Sequence, residues 1–528
     1  MTRAGWARVT VLTVAAIVVS WWPVVALGNP HGEADNHLWM IWLAFEGKGP
    51  WYNLPVGGDM QLMDPINLLW WAPTWWLGPR VAWTAAILGN IALAAVSGGA
   101  VGWHVTQREA GALVGAITLS TSPFLVGAVD FSITEAWTVG WLGLHVVFAL
   151  RLRDTGRWQD AALSGAALAA WLASGWYACA FAIFVECLLA LHVRRWRWMI
   201  GQALLAGATE LPRLATFLAM REQWAPRFAT STQGIDNPQW RIALMHGTDL
   251  LNLLAPSWIA NGPSTAVYIG LTTLALATFG GRRALPFLAM AAVFWTLALG
   301  HWLRVGGHTI VAMPAGWLAA NTPLNGISHW YRAAGPATVF SAIAAAIGAA
   351  RVTDRWGRGL GLVVAIAGVL VAENMIAAPV AWPRTTYHPR LPTGMTVIDA
   401  PLIQLPLQGI QPIPMSESAR PYAQWQVFHG QRVAENYEWP DAIRRKSAMV
   451  SRWDDACQTA PLSAGRKLSD IADADGEIVR LVAWGFRWVV VHPQFSTATC
   501  ASVVSAALGE PAFTTAEALG WRIGTAAK

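Results

Sequence analysis

The sequence predicts a polytopic α-helical membrane protein with about eleven transmembrane helices and a C-terminal extracytoplasmic domain of α/β or α+β type. Three observations predict it. Of 528 residues, 55% are hydrophobic and only 12% are charged, too few charges to cover a soluble protein of this size. There are 34 Trp, and indole rings favour the membrane–water interface. The last 149 residues carry 27 charges, against 39 in the first 379, which divides the chain into 1–379 and 380–528 near Pro379–Pro383. The same figures exclude a disordered chain, which needs low hydrophobicity and high charge. Four Cys in so long a chain exclude a disulfide scaffold.

A bilayer core takes about 20 mostly apolar residues per helix. The first such segment, 8–27, is longer than a usual signal-peptide core, so it reads as an uncleaved anchor, although Ala26-Leu27-Gly28 would serve as a cleavage site. Either outcome leaves residue 30 outside. Apolar runs at 81–103, 112–129 and 135–150 follow. The pair 160–173 and 176–193 is separated only by Ser174-Gly175, a break weak enough to sit inside one bent helix. The remaining spans are 198–218, 264–280, 284–300, 328–350 and 358–379. In the tail, "MTVIDAPL" (395–402) and "FRWVVVH" (486–492) are rich in β-branched and aromatic residues and read as strands. "TCASVVSAALG" (499–509) reads as a helix ending at Gly509. Cys457 and Cys500 lie outside, where oxidation can join them. Cys179 and Cys187 sit in a predicted helix and read as packing residues.

Orientation follows from the basic residues. With the N-terminus in the cytoplasm, the cytoplasmic segments hold fourteen Arg, from Arg3 and Arg8 to Arg351, Arg355 and Arg358, and four acids: Glu109, Asp154, Asp160 and Asp354. The formal net charge of +6 is therefore a topology signal, not a basic surface for nucleic acid. The outer face is left acidic.

Three stretches then lie outside: 28–80, 219–263 and the tail. The first holds five acids (Glu33, Asp35, Glu46, Asp59, Asp64) and seven Trp over 31–80. Residues 36–45 and 66–77 read as short amphipathic helices with aromatic faces on the membrane. Glu33 and Asp35 follow the first span directly. Partial desolvation there raises a carboxylate pKa toward base catalysis; the plainer alternative is a solvated acidic loop. His31, Glu33, Asp35 and His37 alternate as metal ligands might, but no Cys or HExxH spacing supports that. In the short loop 127–137, Asp130 and Glu135 cost desolvation unless paired, hydrated or bound to a cation; capping of the next helix by Asp130 or Thr134 is the alternative. In "NGISHWYRAAGP" (325–336), Arg332 follows His329 and Tyr331. An Arg in the apolar start of a span calls for an anion such as phosphate, or snorkels to the interface. His301, Arg304 and His308, in the preceding loop, extend that anion site. Glu210 and Arg213 are spaced to pair on one helix face. Glu186 lies deep in a helix without an evident partner.

Several stretches carry a family resemblance: "GEADNHLWMIW" (32–42), "MDPINLLWWAP" (63–73), "STSPFLVGAVDFSITEAW" (120–137), "LASGWYACAF" (172–181), "HGTDLLNLLAPSW" (246–258), "VYIGLTTLALATFG" (267–280) and "LGHWLRVGGH…PLNGISHWYRAAGPA" (299–337). In the tail, "TVIDAPL", "PYAQWQVFHGQRVAENY" (421–437) and "GFRWVVVH" (485–492) add to it. Together they resemble the GT-C superfamily of integral membrane glycosyltransferases, near its YfhO-like and polyprenyl-phosphate-sugar-dependent branches.

The resemblance implies an enzyme of the bacterial cytoplasmic membrane. It would take a polyprenyl-phosphate sugar donor and a glycan, lipid or protein acceptor on the outer face, and would invert the anomeric centre by direct displacement. It places the general base on Asp35, with Glu33 as rival. It places the donor phosphate on Arg332, with His329 and Arg304, and the acceptor or a divalent cation (magnesium or manganese) on Asp130 with Glu135. Two features depart from the pattern: no second Arg follows Arg332 at 333–337, and the first-loop motif is "GEAD" rather than a pair of aspartates. The rival functions are a non-catalytic protein of cell-envelope glycan assembly or binding, and a transporter or flippase. The latter calls for repeats and midplane polar breaks, whereas the acids here cluster at the rim and no repeat is evident.

Overall fold

The structure is a computed structural model. It describes residues 2–25, 41, 44–45, 64–130, 133–215, 248–256, 267–322, 324, 327, 329–357, 360–377, 402–405, 453, 474–483, 486–491, 499–515 and 518–523. It divides into two compact units: residues 1–28 with 63–384, and residues 29–62 with 385–528.

The first unit is a helical bundle. Its long elements are α1 (Arg3–Val25), α2 (Pro79–Thr106), α3 (Glu109–Ser120), α4 (Pro123–Asp130), α5 (Val139–Thr155), α6 (Trp158–Leu172), α7 (Trp176–Val193), α8 (Trp196–Thr209), α9 (Leu271–Phe279), α10 (Leu285–Ala298), α11 (Pro314–Asn321), α12 (Ala334–Trp356) and α13 (Leu360–Ala377). Every one of the eleven apolar segments holds helix. Among the described residues, five stretches are long and apolar enough to cross a membrane: Arg3–Trp22, Val81–Thr106, Glu109–Val129, Trp176–Val193 and Trp330–Trp356. Ser174-Gly175 does separate two helices: α6 ends at Leu172 and α7 begins at Trp176.

Small residues let the helices close. Gly98 and Gly102 of α2 face Gly115 and Gly111 of α3, and a Cβ on any of the first three would strike the carbonyl oxygen opposite. This is the four-residue glycine spacing by which apolar helices bring their backbones together without help from water. The Ala-rich α12 is buried along almost its whole length and forms the centre around which α3, α9 and α10 pack.

Several acidic groups of the bundle are paired, as desolvation favours. Gly270 has no side chain to cap α9. Glu373 of α13 supplies the cap, accepting from the amides of Leu271 (2.5 Å) and Thr272 (2.8 Å) and from the Tyr268 hydroxyl (2.5 Å). A carboxylate there also meets the positive end of the helix dipole. Glu186, without an evident partner in sequence, lies 2.7 Å from Nε2 of His145. Nδ1 of that fully buried imidazole sits 3.1 Å from the Ser164 carbonyl. Glu210 and Arg213 pair at 3.2 Å, as their spacing predicts.

The segment read as a plain loop after α10 is ordered. Trp302–Val305 (β1) and His308–Ala312 (β2) form an antiparallel hairpin. Gly306 and Gly307 both have positive φ (59° and 82°), as a two-residue turn matching the strand twist requires. The 66–77 segment also differs from expectation. Only Leu68–Trp71 is α-helix, flanked by tighter 3-10 turns at Pro65–Asn67 and Ala72–Leu77 that each begin with Pro near the first position.

The second unit carries a four-stranded mixed sheet, order β3-β4-β6-β5, made of Leu402–Leu405, Trp488–Val491, Leu519–Arg522 and, at the edge, Phe513–Thr514 (β5). β3 runs parallel to β4, and β6 antiparallel to both β4 and β5. Val489 and Val491 face a core with Phe486, Val504 and Trp521, while Val490 packs with Ala518 on the opposite side, the period-two alternation of a strand. Two helices, α14 (Ala474–Ala483) and α15 (Cys500–Leu508), accompany it, and α15 stops at Gly509 (φ 78°). Cys500 is disulfide-bonded and Cys179 and Cys187 are free; Cys457 lies outside the described residues, as does nearly all of the strand expected at 395–402.

Candidate functional site

The start of α12 sets the site. A 3-10 turn, Trp330–Ala333, precedes the helix and turns the Arg332 side chain inward, leaving it 6% exposed. Its Nη1 donates to Oε1 of Glu135, whose side chain is 9% exposed. Glu135 sits in a second 3-10 turn, Thr134–Thr138, that leads into α5. Two irregular turns thus bring opposite charges together out of water, where an ion pair needs good geometry and further hydrogen bonds to repay desolvation.

A third element completes the surround. The Arg332 guanidinium carbon lies 4.2 Å from the ring centre of Tyr177, at the start of α7, within cation–π range. The Tyr177 hydroxyl lies 2.9 Å from Nδ1 of His329. His329 also meets the ring of Tyr331 edge-on at 5.7 Å. The backbone of Gly175 passes so close to Glu135 that an added Cβ would lie 3.2 Å from the glutamate Cβ, so the α6–α7 break brings Tyr177 within reach of the ion pair.

Below Glu135 runs a buried amide network. Asn67 Nδ2 donates to Asp64 (3.0 Å) and to the Thr134 carbonyl (3.2 Å), and Asn90 Nδ2 donates to Asn67 Oδ1 (2.7 Å). Asp64 and Asn67 are fully buried. The "MDPIN" stretch therefore fixes the residue before Glu135. Trp137 closes this side, edge-on to Trp83 at 5.1 Å, with its indole N–H donating to the Ala128 carbonyl.

The sequence-level candidates divide accordingly. Arg332, His329 and Glu135 come together. Glu33, Asp35, His31 and His37 lie outside the described residues. Asp130 is the last residue of α4, and its side chain is likewise outside them. Arg304 and His308 belong to the hairpin. Arg304 forms a backbone bridge with Asp249, and its charge acts on that carboxylate. His301 packs edge-on to Trp330 at 6.3 Å, and burial holds its imidazole pKa below the ordinary value, so it favours the neutral form.

Asp249, which the sequence did not single out, ties the hairpin to the short helix before it. It caps the short helix Leu250–Leu254 through the Leu251 amide (2.9 Å) and accepts from the Gly307 amide in the hairpin turn (2.7 Å). Burial raises its pKa, but the amides of Gly307, Leu251 and Gly306 and the charge of Arg304 outweigh that and hold it below the ordinary carboxylate value. Tyr177 was missed as well. The signal available was a Gly followed by two aromatics at a helix break, which carries no charge and draws no attention in sequence.

The described residues do not fit a divalent cation at Glu135. Its carboxylate engages a guanidinium, and among the described residues no three His, Cys, Asp or Glu side chains converge as a metal site would require.

ArnT from Cupriavidus metallidurans, in the apo state, superposes with a TM-score of 0.50 over 98% of this chain and 98% of that one, at 13% identity. The chain has the fold of ArnT. An arabinofuranosyltransferase from Mycobacteria, AftD, matches with a TM-score of 0.47 at 14% identity, over 97% of this chain and 41% of its own length. No family model and no curated protein sequence matches the chain.

Proposed function

We propose that this protein is a membrane glycosyltransferase of the GT-C type. It would transfer a sugar from a polyprenyl-phosphate donor to a glycan, lipid or protein acceptor on the outer face of a bacterial cytoplasmic membrane. The observation that supports the reading is the likeness of fold to ArnT over the whole length of the chain. The motifs of this sequence resemble the same superfamily, and the bundle end with Glu135 and Arg332 is then the outer one.

In this reading Arg332 binds the donor phosphate. A guanidinium has five N–H donors in a planar fork suited to phosphate. Glu135 takes one, and the Tyr177 face fixes the plane, so the guanidinium is oriented before the donor arrives. Preorganised charge of this kind stabilises the negative charge that grows on the departing phosphate. His329, held by Tyr177, supports the same anion. Asp35, with Glu33 as rival, removes the proton from the acceptor hydroxyl; that oxygen attacks the anomeric carbon as the carbon–phosphate-oxygen bond breaks, and the centre inverts. No step is drawn through a divalent cation, because the Glu135 carboxylate is already engaged.

The test is sugar transfer in membranes supplied with radiolabelled polyprenyl-phosphate sugars, comparing the wild type with Asp35→Asn and Arg332→Gln. Both variants are expected to lose transfer, by about a hundredfold or more for the base. Transfer by Asp35→Asn equal to wild type would remove Asp35 from the mechanism. Equal transfer by Arg332→Gln would remove the phosphate role.

A further inference from the structure

The opposite end of the bundle carries a cavity that the proposed transfer does not use. Its volume is about 560 Å³, within the range of small-molecule sites. Arg8 and Arg108 stand at its rim, and Leu12, Trp103, Leu113 and Val363 line its wall. The lining comes from the first turns of α1, the end of α2, the start of α3, the end of α12 (Thr353) and the start of α13, so the cavity lies where five helices meet at one end of the bundle.

The wall is continuous with exposed apolar surface. Leu12 and Val363 pack on the cluster built by Val9, Leu113, Ala349 and Leu370. The other faces of the same two helices expose Val11 (65%), Val14 and Val18 on α1, and Val364 and Val369 (55%) on α13. An apolar chain resting between α1 and α13 would therefore stay in an apolar environment along its length.

The rim has the opposite chemistry. Arg8 uses Nε and Nη2 on Glu109, at 3.1 and 2.7 Å. Arg108 uses Nε on Asp354, at 3.1 Å. Among the described residues, no protein partner takes Nη1 of Arg8 or either Nη of Arg108. The segments around the cavity carry Arg3, Arg8, Arg108, Arg351 and Arg355 against Glu109 and Asp354, an excess of positive charge where a bilayer presents headgroups. Trp103 on the wall adds an interfacial anchor.

We infer that this cavity binds one anionic phospholipid, its headgroup phosphate on Arg8 and Arg108 and an acyl chain against Leu12, Leu113 and Val363. Basic pockets between helices at the cytoplasmic side hold anionic headgroups by the same charge complementarity. Glu109 and Asp354 position the two guanidinium groups, which retain donors for the phosphate. The site is independent of the proposed sugar transfer, and its test needs no activity.

The full chain, purified in a neutral detergent, is titrated with phosphatidylglycerol, with phosphatidylcholine of the same acyl chains, and with inorganic phosphate. Bound lipid is read by native mass spectrometry and Tm by near-ultraviolet circular dichroism. Phosphatidylglycerol is expected to bind and raise Tm, phosphatidylcholine to bind on the order of tenfold more weakly, and phosphate to do neither. The double variant R8Q/R108Q is expected to lose the preference. Leu12→Trp, which fills the cavity and keeps both Arg, is expected to lose phosphatidylglycerol binding at unchanged helicity. Equal binding of the two lipids, an unchanged preference in R8Q/R108Q, unchanged binding in Leu12→Trp, or full protection by phosphate alone would each overturn the assignment.

Discussion

The two ends of the bundle solve the same electrostatic problem in opposite ways. At one end Arg332 and Glu135 meet with side chains 6% and 9% exposed, braced by the Tyr177 ring and by a buried amide network beneath the glutamate. At the other, Arg8 meets Glu109 at 48% and 35% exposure, and Arg108 meets Asp354 at 41% and 39%. The chemistry of the pairs is the same; the surrounding dielectric is not. Exposed pairs are screened and contribute little beyond local order. A buried pair rarely stabilises a fold more than apolar residues of equal volume, yet losing one member is costly because the other is stranded. Retaining such a pair at one end of an apolar bundle is expected where the charge has a task, and the proposed binding of a donor phosphate would be such a task.

The largest effect is expected where the contrast is sharpest. Glu135→Ala takes the Glu135 carboxylate away from the buried Arg332 guanidinium and should destabilise the bundle by roughly 3–5 kcal/mol. Thermal melting of the purified chain would show it as a lowered Tm. A substitution that keeps an acceptor, Glu135→Gln, should recover part of that loss. If Glu135→Ala melts like wild type, the pair is not isolated from water and the contrast between the two ends fails.

A carboxylate of a third kind lies between these extremes. Asp249 is held by backbone amides of its own helix start and of the hairpin turn, and its pKa is depressed. Asp249→Asn should cost about 2 kcal/mol, the scale of charge-assisted bonds to a carboxylate. The pH dependence has a definite sign. A group whose folded pKa is lowered binds fewer protons in the folded state than in the unfolded one. Its contribution is therefore complete above the unfolded value of about 4 and is lost as pH falls through the lower, folded value. Wild type should lose stability more steeply than Asp249→Asn below about pH 4. Parallel acid-melting curves for the two would remove Asp249 as the tie between hairpin and helix.

Much of the helical layout was legible because its signal is additive: twenty apolar residues announce a span whatever they touch. Eleven segments chosen that way all hold helix. Sequence also brought Arg332, His329 and Glu135 forward, since charges in apolar surroundings stand out. What joined them was hidden. Tyr177 and Gly175 act through a helix break whose geometry no periodicity encodes, and the Asn67–Thr134 contact spans two loops far apart in the chain. The hairpin at Trp302–Ala312 was within reach, for "VGGH" between β-branched runs is a turn signal. It was lost because the segment was read as a connection between spans. His145 and Glu186 escaped as partners for a similar reason, being on different helices 41 positions apart, with nothing in either sequence context naming the other.

The smallest expected effect tests the exposed end. Arg108→Gln, in detergent free of phospholipid, should change stability by less than about 1 kcal/mol, and raising salt should erase even that. The Asp354 carboxylate it leaves behind is 39% exposed, so solvent can reach it, unlike the buried Arg332 guanidinium. Salt also separates the two ends within wild type. Screening acts over about 10 Å of water at 0.1 M but scarcely reaches a buried pair. Added salt should therefore leave the cost of Glu135→Ala unchanged while it cancels that of Arg108→Gln. If both costs shrink together, solvent reaches Arg332 as freely as Arg108. The preorganised phosphate site would then lose its physical basis.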